Sequence, residues 1–501
     1  MVLFFVFDTF LSQLLFMIFI FHVNLAHSQK LDQHDKVFRL HLSSEPLSLD
    51  PTKQKGSGSS FLLNSIYLPL FKSDLNQAYK PSVLKDCRWV NQLELSCQLV
   101  AGLHWSNGSA LGANDVKKSF DYFKSSQSNN KQSELVQNIK TVNVKKNEHV
   151  IFMLKTPEAR FMEKLTSPLL SPIFDSKFPK LSEISKLVTS GPYKIESWES
   201  KRKITLIPNS FFKGHPQRPK VEFYIITEES TALLLYESNQ LDFLRRLPTA
   251  FIDRYQSTPD FKQVPIVRFD YIGFGPALNN EPELRKQLSH ALNYNQWSQF
   301  LRARGRPGCY GIALDLLNFD PCLNYEPENF PTWKKEISSR QKLVDLTLHY
   351  SNLGGDDHKK SMEWVQNEWK KNLGLKVVIK GVENAIFQKE LQDNPPALFR
   401  VGISLEHLSC SNALDSFIKS IHHPLIFNQK ALLDKIDQLK NTKQKNTEAT
   451  LCNTILTDLI DNHWIIPLGR IHLSLLAKPE WQGWSLSPLN VLDLSDLHYS
   501  K

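Results

Sequence analysis

At 501 residues the chain exceeds what one hydrophobic core organises, so two or three lobes are expected. It is 41% hydrophobic and 22% charged, with 31 Phe as core material, the balance of an ordinary globular protein. The formal net charge of +9 is spread along the chain, with no basic run interleaved with aromatics. That favours a solvated, mildly basic surface over a nucleic-acid groove.

Residues Val2 to Leu25 are almost wholly apolar, and Ala26-His27-Ser28 follows with small residues at the positions a signal peptidase requires. Residues 1–28 are therefore expected to be a secretory signal peptide, although no Lys or Arg precedes the apolar run and Asp8 interrupts it; an uncleaved anchor is the alternative. Beyond residue 28 no apolar run is long enough to span a bilayer. Six cysteines fit an oxidising compartment. Cys87 and Cys97 flank a hairpin-like stretch, Cys309 and Cys322 flank a Pro/Gly-rich loop, and Cys410 and Cys452 remain. Near-neighbour pairing is expected, with buried free thiols as the alternative.

In chain order, alternation from Val37 predicts a strand, which SEPLSLDP turns. Gly56 to Ser60 (GSGSS) reads as a flexible connection before an apolar helix through Leu62, Leu63 and Ile66. Arg88 to Val100 predicts a hairpin about Asn91-Gln92. Asn107-Gly108 predicts a turn and Asn114 a helix cap, with Asp115 in the first helical turn. Val116, Phe120 and Phe123 then share one helical face. A second hairpin is expected about Lys146-Asn147, a third over Tyr193–Trp198 and Lys203–Ile207, a strand over Val221–Ile226 and a helix over Ser230–Ser238. A domain boundary is expected near Pro265, followed by one helix over Leu284–Leu301. Leu343–Tyr350, a helix through Met362, Val365, Trp369 and Leu373, and Leu375–Ile379 form a strand, helix and strand. Helices over Lys430–Leu439 and Thr447–Ile460 precede Trp464-Ile465-Ile466-Pro467-Leu468. Such alternation points to mixed α/β lobes.

Catalytic signatures are missing from the sequence. There is no GxSxG, no HExxH and no nucleotide-binding glycine loop, and none of the cysteines sits in a CxxC pair. His422-His423 and His407 with Glu406 could ligate a metal, but adjacent histidines before a proline are expected to be surface residues. The residues therefore assign no enzyme activity, cofactor or metal.

The order of segments carries more. LSLDP (Leu47–Pro51), IYLPLF (Ile66–Phe71), HWSNGSALGANDVKKSF (His104–Phe120), TSGPYKIESW (Thr189–Trp198), YIGFGPALNNEPELRKQLSHALNYNQW (Tyr271–Trp297), LGLKVVIKGVE (Leu373–Glu383) and WIIPL (Trp464–Leu468) follow one another. This series resembles the extracytoplasmic solute-binding proteins of peptide and nickel ABC importers, the oligopeptide- and dipeptide-binding type, over nearly all of the mature chain. The resemblance implies an α/β, bilobed periplasmic-binding-protein fold with three domains, the second inserted in the first. The implied division is 29–70, 185–265 and 476–501 for domain I, 71–184 for domain II and 266–475 for domain III.

It also implies a periplasmic protein, expected to be a monomer, that closes on a peptide or peptide-like ligand and delivers it to an ABC permease. A ligand sensor on the same scaffold and a nickel-type metal-chelate binder are the alternatives. By analogy, Gly56, Ser57 and Ser59, and Glu406, His407 and Asp415 within the Gly402–Asp415 segment, would face the ligand. That segment, VGISLEHLSCSNALDSF, departs from the family pattern: the Gly-Trp and Asp-Pro marks are missing, and Cys410 lies near where a ligand-binding Asp is expected. The scaffold is kept and the ligand chemistry altered.

Overall fold

A computed structural model describes residues 36–46, 48–53, 57–73, 79–125, 135–158, 160–302, 307–309, 322–339, 346–404, 410, 414, 417, 430–442 and 445–500. The expected signal peptide lies outside them.

A ten-stranded sheet runs through the molecule. Its order is Val378–Val382, Thr347–Ser351, Leu398–Ser404, Phe261–Phe274, Ile465–Ala477, Phe243–Leu244, Val37–Leu42, Lys220–Ile225, Lys203–Pro208 and Tyr193–Glu199. Parallel strands group at two places in it. Val37–Leu42 lies parallel to Lys220–Ile225 and Phe243–Leu244, and Thr347–Ser351 lies parallel to Val378–Val382 and Leu398–Ser404. The antiparallel pair Phe261–Phe274 and Ile465–Ala477 joins the two groups; we call these the crossing strands.

Apolar residues divide in the same way. One core gathers Phe38, Leu40, Phe61, Ile66, Trp105, Phe120, Phe152, Tyr193 and Phe223. A second gathers Ile272, Leu288, Trp297, Val365, Trp369, Phe399, Ile455 and Ile465. A small third one, with Leu233, Tyr236, Leu244 and Leu476, backs the first group of parallel strands. Both crossing strands contribute to the second core, and the Ile465–Ala477 strand also reaches the first through Leu475 and Ala477. Between the cores their register slips, from Ile266 opposite Ile471 to Asp270 opposite Gly469. Pro265, near which a domain boundary is expected, sits inside a continuous strand, opposite His472.

The first core extends into a four-stranded antiparallel sheet, Leu84–Asn91, Glu94–Leu99, His149–Leu154 and Ile139–Lys145, covered by the Ala113–Ser125 helix. Phe120 meets Phe152 edge-on at 5.3 Å. The turn at Asn107-Gly108 forms, with Gly108 at φ +86. Lys146 and Asn147 both take positive φ in the second hairpin. Asn114 is not the helix cap, because the helix already begins at Ala113. Asp115 does the capping from inside: its Oδ2 accepts from the Gly112 N–H at 2.9 Å and from Trp105 Nε1 at 3.3 Å.

Three of the motif segments clasp one another. The N–H groups of Ser190 and Gly191 donate to the Ile66 carbonyl at 3.1 and 2.8 Å, and Ser190 Oγ accepts from the Leu68 N–H at 3.0 Å. Ser106 donates its N–H to the Thr189 carbonyl at 2.7 Å, and Thr189 returns its own to Ser106 Oγ at 3.0 Å. Asp50, from LSLDP, is buried and accepts from Tyr122 Oη at 2.8 Å. These residues build scaffold.

The single helix expected over Leu284–Leu301 is two, Pro282–His290 and Tyr294–Phe300. Asn293 breaks the run because its side chain accepts from the Gln296 N–H and caps the second helix. All six cysteines pair, Cys87 with Cys97, Cys309 with Cys322 and Cys410 with Cys452.

Candidate functional site

In open α/β sheets, ligands sit outside the carboxyl ends of parallel strands. The first group of parallel strands ends at Leu42, Ile225 and Leu244, and the second at Ser351, Val382 and Ser404. The residues just past Leu244 and Ser351 come together. Arg246 lies 3.3 Å from Glu229 Oε1 and 3.5 Å from Asp357 Oδ2, and Asp357 Oδ1 accepts from the Thr249 N–H at 3.2 Å. Asp357 stands in the first turn of the Gly355–Leu373 helix, where the helix dipole favours a carboxylate.

A second set of charges lies beside this bridge, on the crossing strand Phe261–Phe274 and its neighbour Leu398–Ser404. Asp270 is fully buried and held by two guanidinium groups, Arg268 Nε at 2.5 Å and Arg400 Nη2. Arg400 Nη1 also donates to His358 Nδ1 at 3.3 Å. Burial, then the charges of Arg400, Arg246 and Arg268, push the His358 imidazole well below its usual pKa, so it stays neutral. Arg400 is itself lowered to about 10 by burial, against the pull of Asp270.

Arg245 completes the cluster from the first group of strands. Its guanidinium lies 4.5 Å from the Phe61 ring centroid, and burial, then Arg246, lower its pKa to about 10. His41, buried on the adjoining strand, is held down to about 3 by desolvation and then by Arg245.

Four arginines from both halves of the sheet thus face three carboxylates: Asp270, Glu229 and Asp357. Planar guanidinium forks recognise carboxylate groups by paired hydrogen bonds. The cluster packs under the start of the segment in which sequence reasoning placed the ligand acids. Gly402 lies so close that a Cβ there would sit 2.1 Å from Arg268 Nη2 and 2.2 Å from Asp270 Oδ1. Only a glycine allows the strand and the ion pair this approach.

Of the residues singled out from sequence, Ser57 and Ser59 lie in the first turn of the Ser57–Ile66 helix, which corrects the expectation of a flexible connection there. Gly56, Glu406, His407 and Asp415 lie outside the described residues, as do His422 and His423. Among the described residues no group of three or more His, Cys, Asp or Glu is placed to hold a metal. Sequence reasoning missed Arg245, Arg246, Arg268, Asp270, His358 and Arg400. The available signal was charge inside apolar strand context, LDFLRRLP and LFRVGIS. A separate open groove of about 680 Å³, lined by Asp434, Asp437, Asn441 and Thr447, lies between two helices of the second lobe, away from this cluster.

Residues 79–421 match the family model described as bacterial extracellular solute-binding proteins, family 5 Middle. The chain is 20% identical to the dipeptide-binding protein DppE of Bacillus subtilis, over 94% of this chain and 93% of that protein. It is 23% identical to the periplasmic oligopeptide-binding protein OppA of Salmonella typhimurium, over 96% and 94%. The solved structure of the Escherichia coli murein tripeptide binding protein MppA superposes with a TM-score of 0.79, at 18% identity, covering 93% of this chain and 99% of that one.

Proposed function

The chain belongs to the bacterial extracellular solute-binding proteins of family 5, and from that premise we propose that it captures a peptide or peptide-like ligand between its lobes and delivers it to an ABC permease. The observation that carries the reading is the arginine cluster, with Arg245 and Arg246 just past the Phe243–Leu244 strand, Arg268 on the crossing strand and Arg400 on its neighbour Leu398–Ser404. A peptide's terminal carboxylate is the kind of group that guanidinium forks recognise by paired hydrogen bonds. Glu406 and Asp415, in the segment that follows Gly402, would then face the ligand's amino group, with His407, Gly56, Ser57 and Ser59 beside it. The named relatives support this class, since they are named for dipeptides, oligopeptides and a murein tripeptide.

The proposed division assigns 29–70, 185–265 and 476–501 to domain I, 71–184 to domain II and 266–475 to domain III, with export through residues 1–28 and action as a periplasmic monomer. Three disulfides suit that compartment. Among the described residues no helix is long and apolar enough to cross a membrane.

Native mass spectrometry of the mature chain tests the reading. Retained or added peptides should appear as bound mass, and a di- to pentapeptide pool should raise the thermal midpoint. A chain that neither retains nor responds to any peptide overturns it.

A further inference from the structure

Outside the arginine cluster, another pair of charges links the two cores. Arg160 precedes the short Phe161–Lys164 helix, and Phe161 and Leu165 belong to the first core. Glu448 stands in the first turn of the Lys445–Asp461 helix, whose Cys452, Ile455, Leu456 and Leu459 belong to the second. The Arg160 guanidinium pairs with the Glu448 carboxylate, and the two side chains are only 16% and 5% exposed. Arg160 Nη1 also donates to Glu163 Oε1 at 2.7 Å, which fixes the guanidinium on its own side.

A carboxylate so buried is costly without its cation. Arg160 faces Glu448 Oε2, and Oε1 has no hydrogen-bond partner among the described residues. Separating the lobes would return both charges to water, so the pair acts only in the drawn-together arrangement.

The same helix is tied covalently within the second core. Cys452, one helical turn beyond Glu448, is bonded to Cys410, and both are buried there. Leu414 and Phe417 lie in the same core, Phe417 edge-on to Tyr271 of the crossing strand at 4.9 Å.

We propose that Arg160 and Glu448 form the latch that holds the lobes closed. Glu448 and Arg160 are positioning residues that set how long the lobes stay shut, and they touch no ligand.

Solution scattering and dissociation measurements on the full mature chain test this. Ligand-free wild type, Glu448→Gln, Arg160→Met and the charge swap Arg160→Glu/Glu448→Arg are compared after a melt establishes that each is folded. The single variants should raise the radius of gyration by roughly 1 Å over the ~23 Å of a compact chain of this length, and the swap should restore it. With a di- to pentapeptide pool as probe, the single variants should release bound peptide about tenfold faster, with association little changed. Equal radii and equal release rates in all folded variants overturn the latch. A radius difference with no peptide held by wild type keeps the latch and overturns the peptide reading.

Discussion

His290 and His463 face each other Nε2 to Nε2 at 2.8 Å, joining the end of the Pro282–His290 helix to the residue before Trp464 and the crossing strand. His290 Nδ1 lies 2.9 Å from the Asn324 carbonyl and 3.0 Å from Glu326 Oε1, so that nitrogen carries a proton and Nε2 accepts from His463. One proton sits between two imidazoles, and Lys286 and Arg285 nearby resist a further one.

Acid should therefore loosen the fold before carboxylates titrate. Burial, then His290, lowers His463 to about 4, and burial lowers His290 and takes His41 to about 3. Between those values and the unfolded value near 6.5 the unfolded chain binds more protons, so stability is full above pH 6.5 and falls as pH drops. The slope is about 1.4 kcal/mol per pH unit for a group held wholly neutral, as His41 is, and smaller for the partly exposed His463. Thermal midpoints from pH 7 to 4 check this. His463→Gln should flatten the profile, and a wild-type midpoint independent of pH in that range contradicts it.

Removing the inner cap should cost more than an exposed substitution would. Asp115→Ala frees the Gly112 N–H and Trp105 Nε1 together, and a loss of about 1–2 kcal/mol is expected from urea unfolding. Asp115→Asn, which keeps an acceptor, should recover most of it.

Gly191→Ala should be worse. Its Cβ would stand 2.6 Å from the Ile66 carbonyl carbon and 2.7 Å from the Tyr67 nitrogen, both backbone atoms with no room to give. The two motif segments must part, and a loss of roughly 2–3 kcal/mol is expected. A variant within 0.5 kcal/mol of wild type in chemical denaturation contradicts the close approach.

Arg400→Met should leave Asp270 buried with Arg268 as its remaining guanidinium partner, at a cost of about 3 kcal/mol. Asp270→Asn together with Arg400→Met should cost less than the two changes summed, because the stranded charge is gone. Additive losses in a double-mutant cycle would place the two side chains in separate environments.

Local periodicity made much of the fold legible. Val116, Phe120 and Phe123 mark their helix, and the Lys146-Asn147 turn and the Gly374 helix end stand where residue chemistry puts them. Asn293 was harder, because the apolar face of Leu284–Leu292 continues to Trp297 and one capping amide outweighs it. The strand continuing through Pro265 was not legible either: in the crossing strand the proline sits opposite His472 with the chain still extended. The charge cluster was not legible as a unit. Arg246 and Arg400 stand 154 positions apart, and Asp270 meets Arg400 only because the crossing strand pairs with Leu398–Ser404.

The slip between the crossing strands bears on how such a molecule can diverge. From Ile266 to Tyr271 one strand advances five positions while its partner, from Ile471 to Pro467, advances four, through two opposed slips about Asp270. The two groups of strands are therefore joined across a local surplus of one residue, a bulge in the ladder. Each half can drift in sequence, changing cargo or surface, while that surplus preserves their mutual geometry. Excising residues there would re-register the ladder and turn side chains to the opposite face, altering the hinge without touching either core.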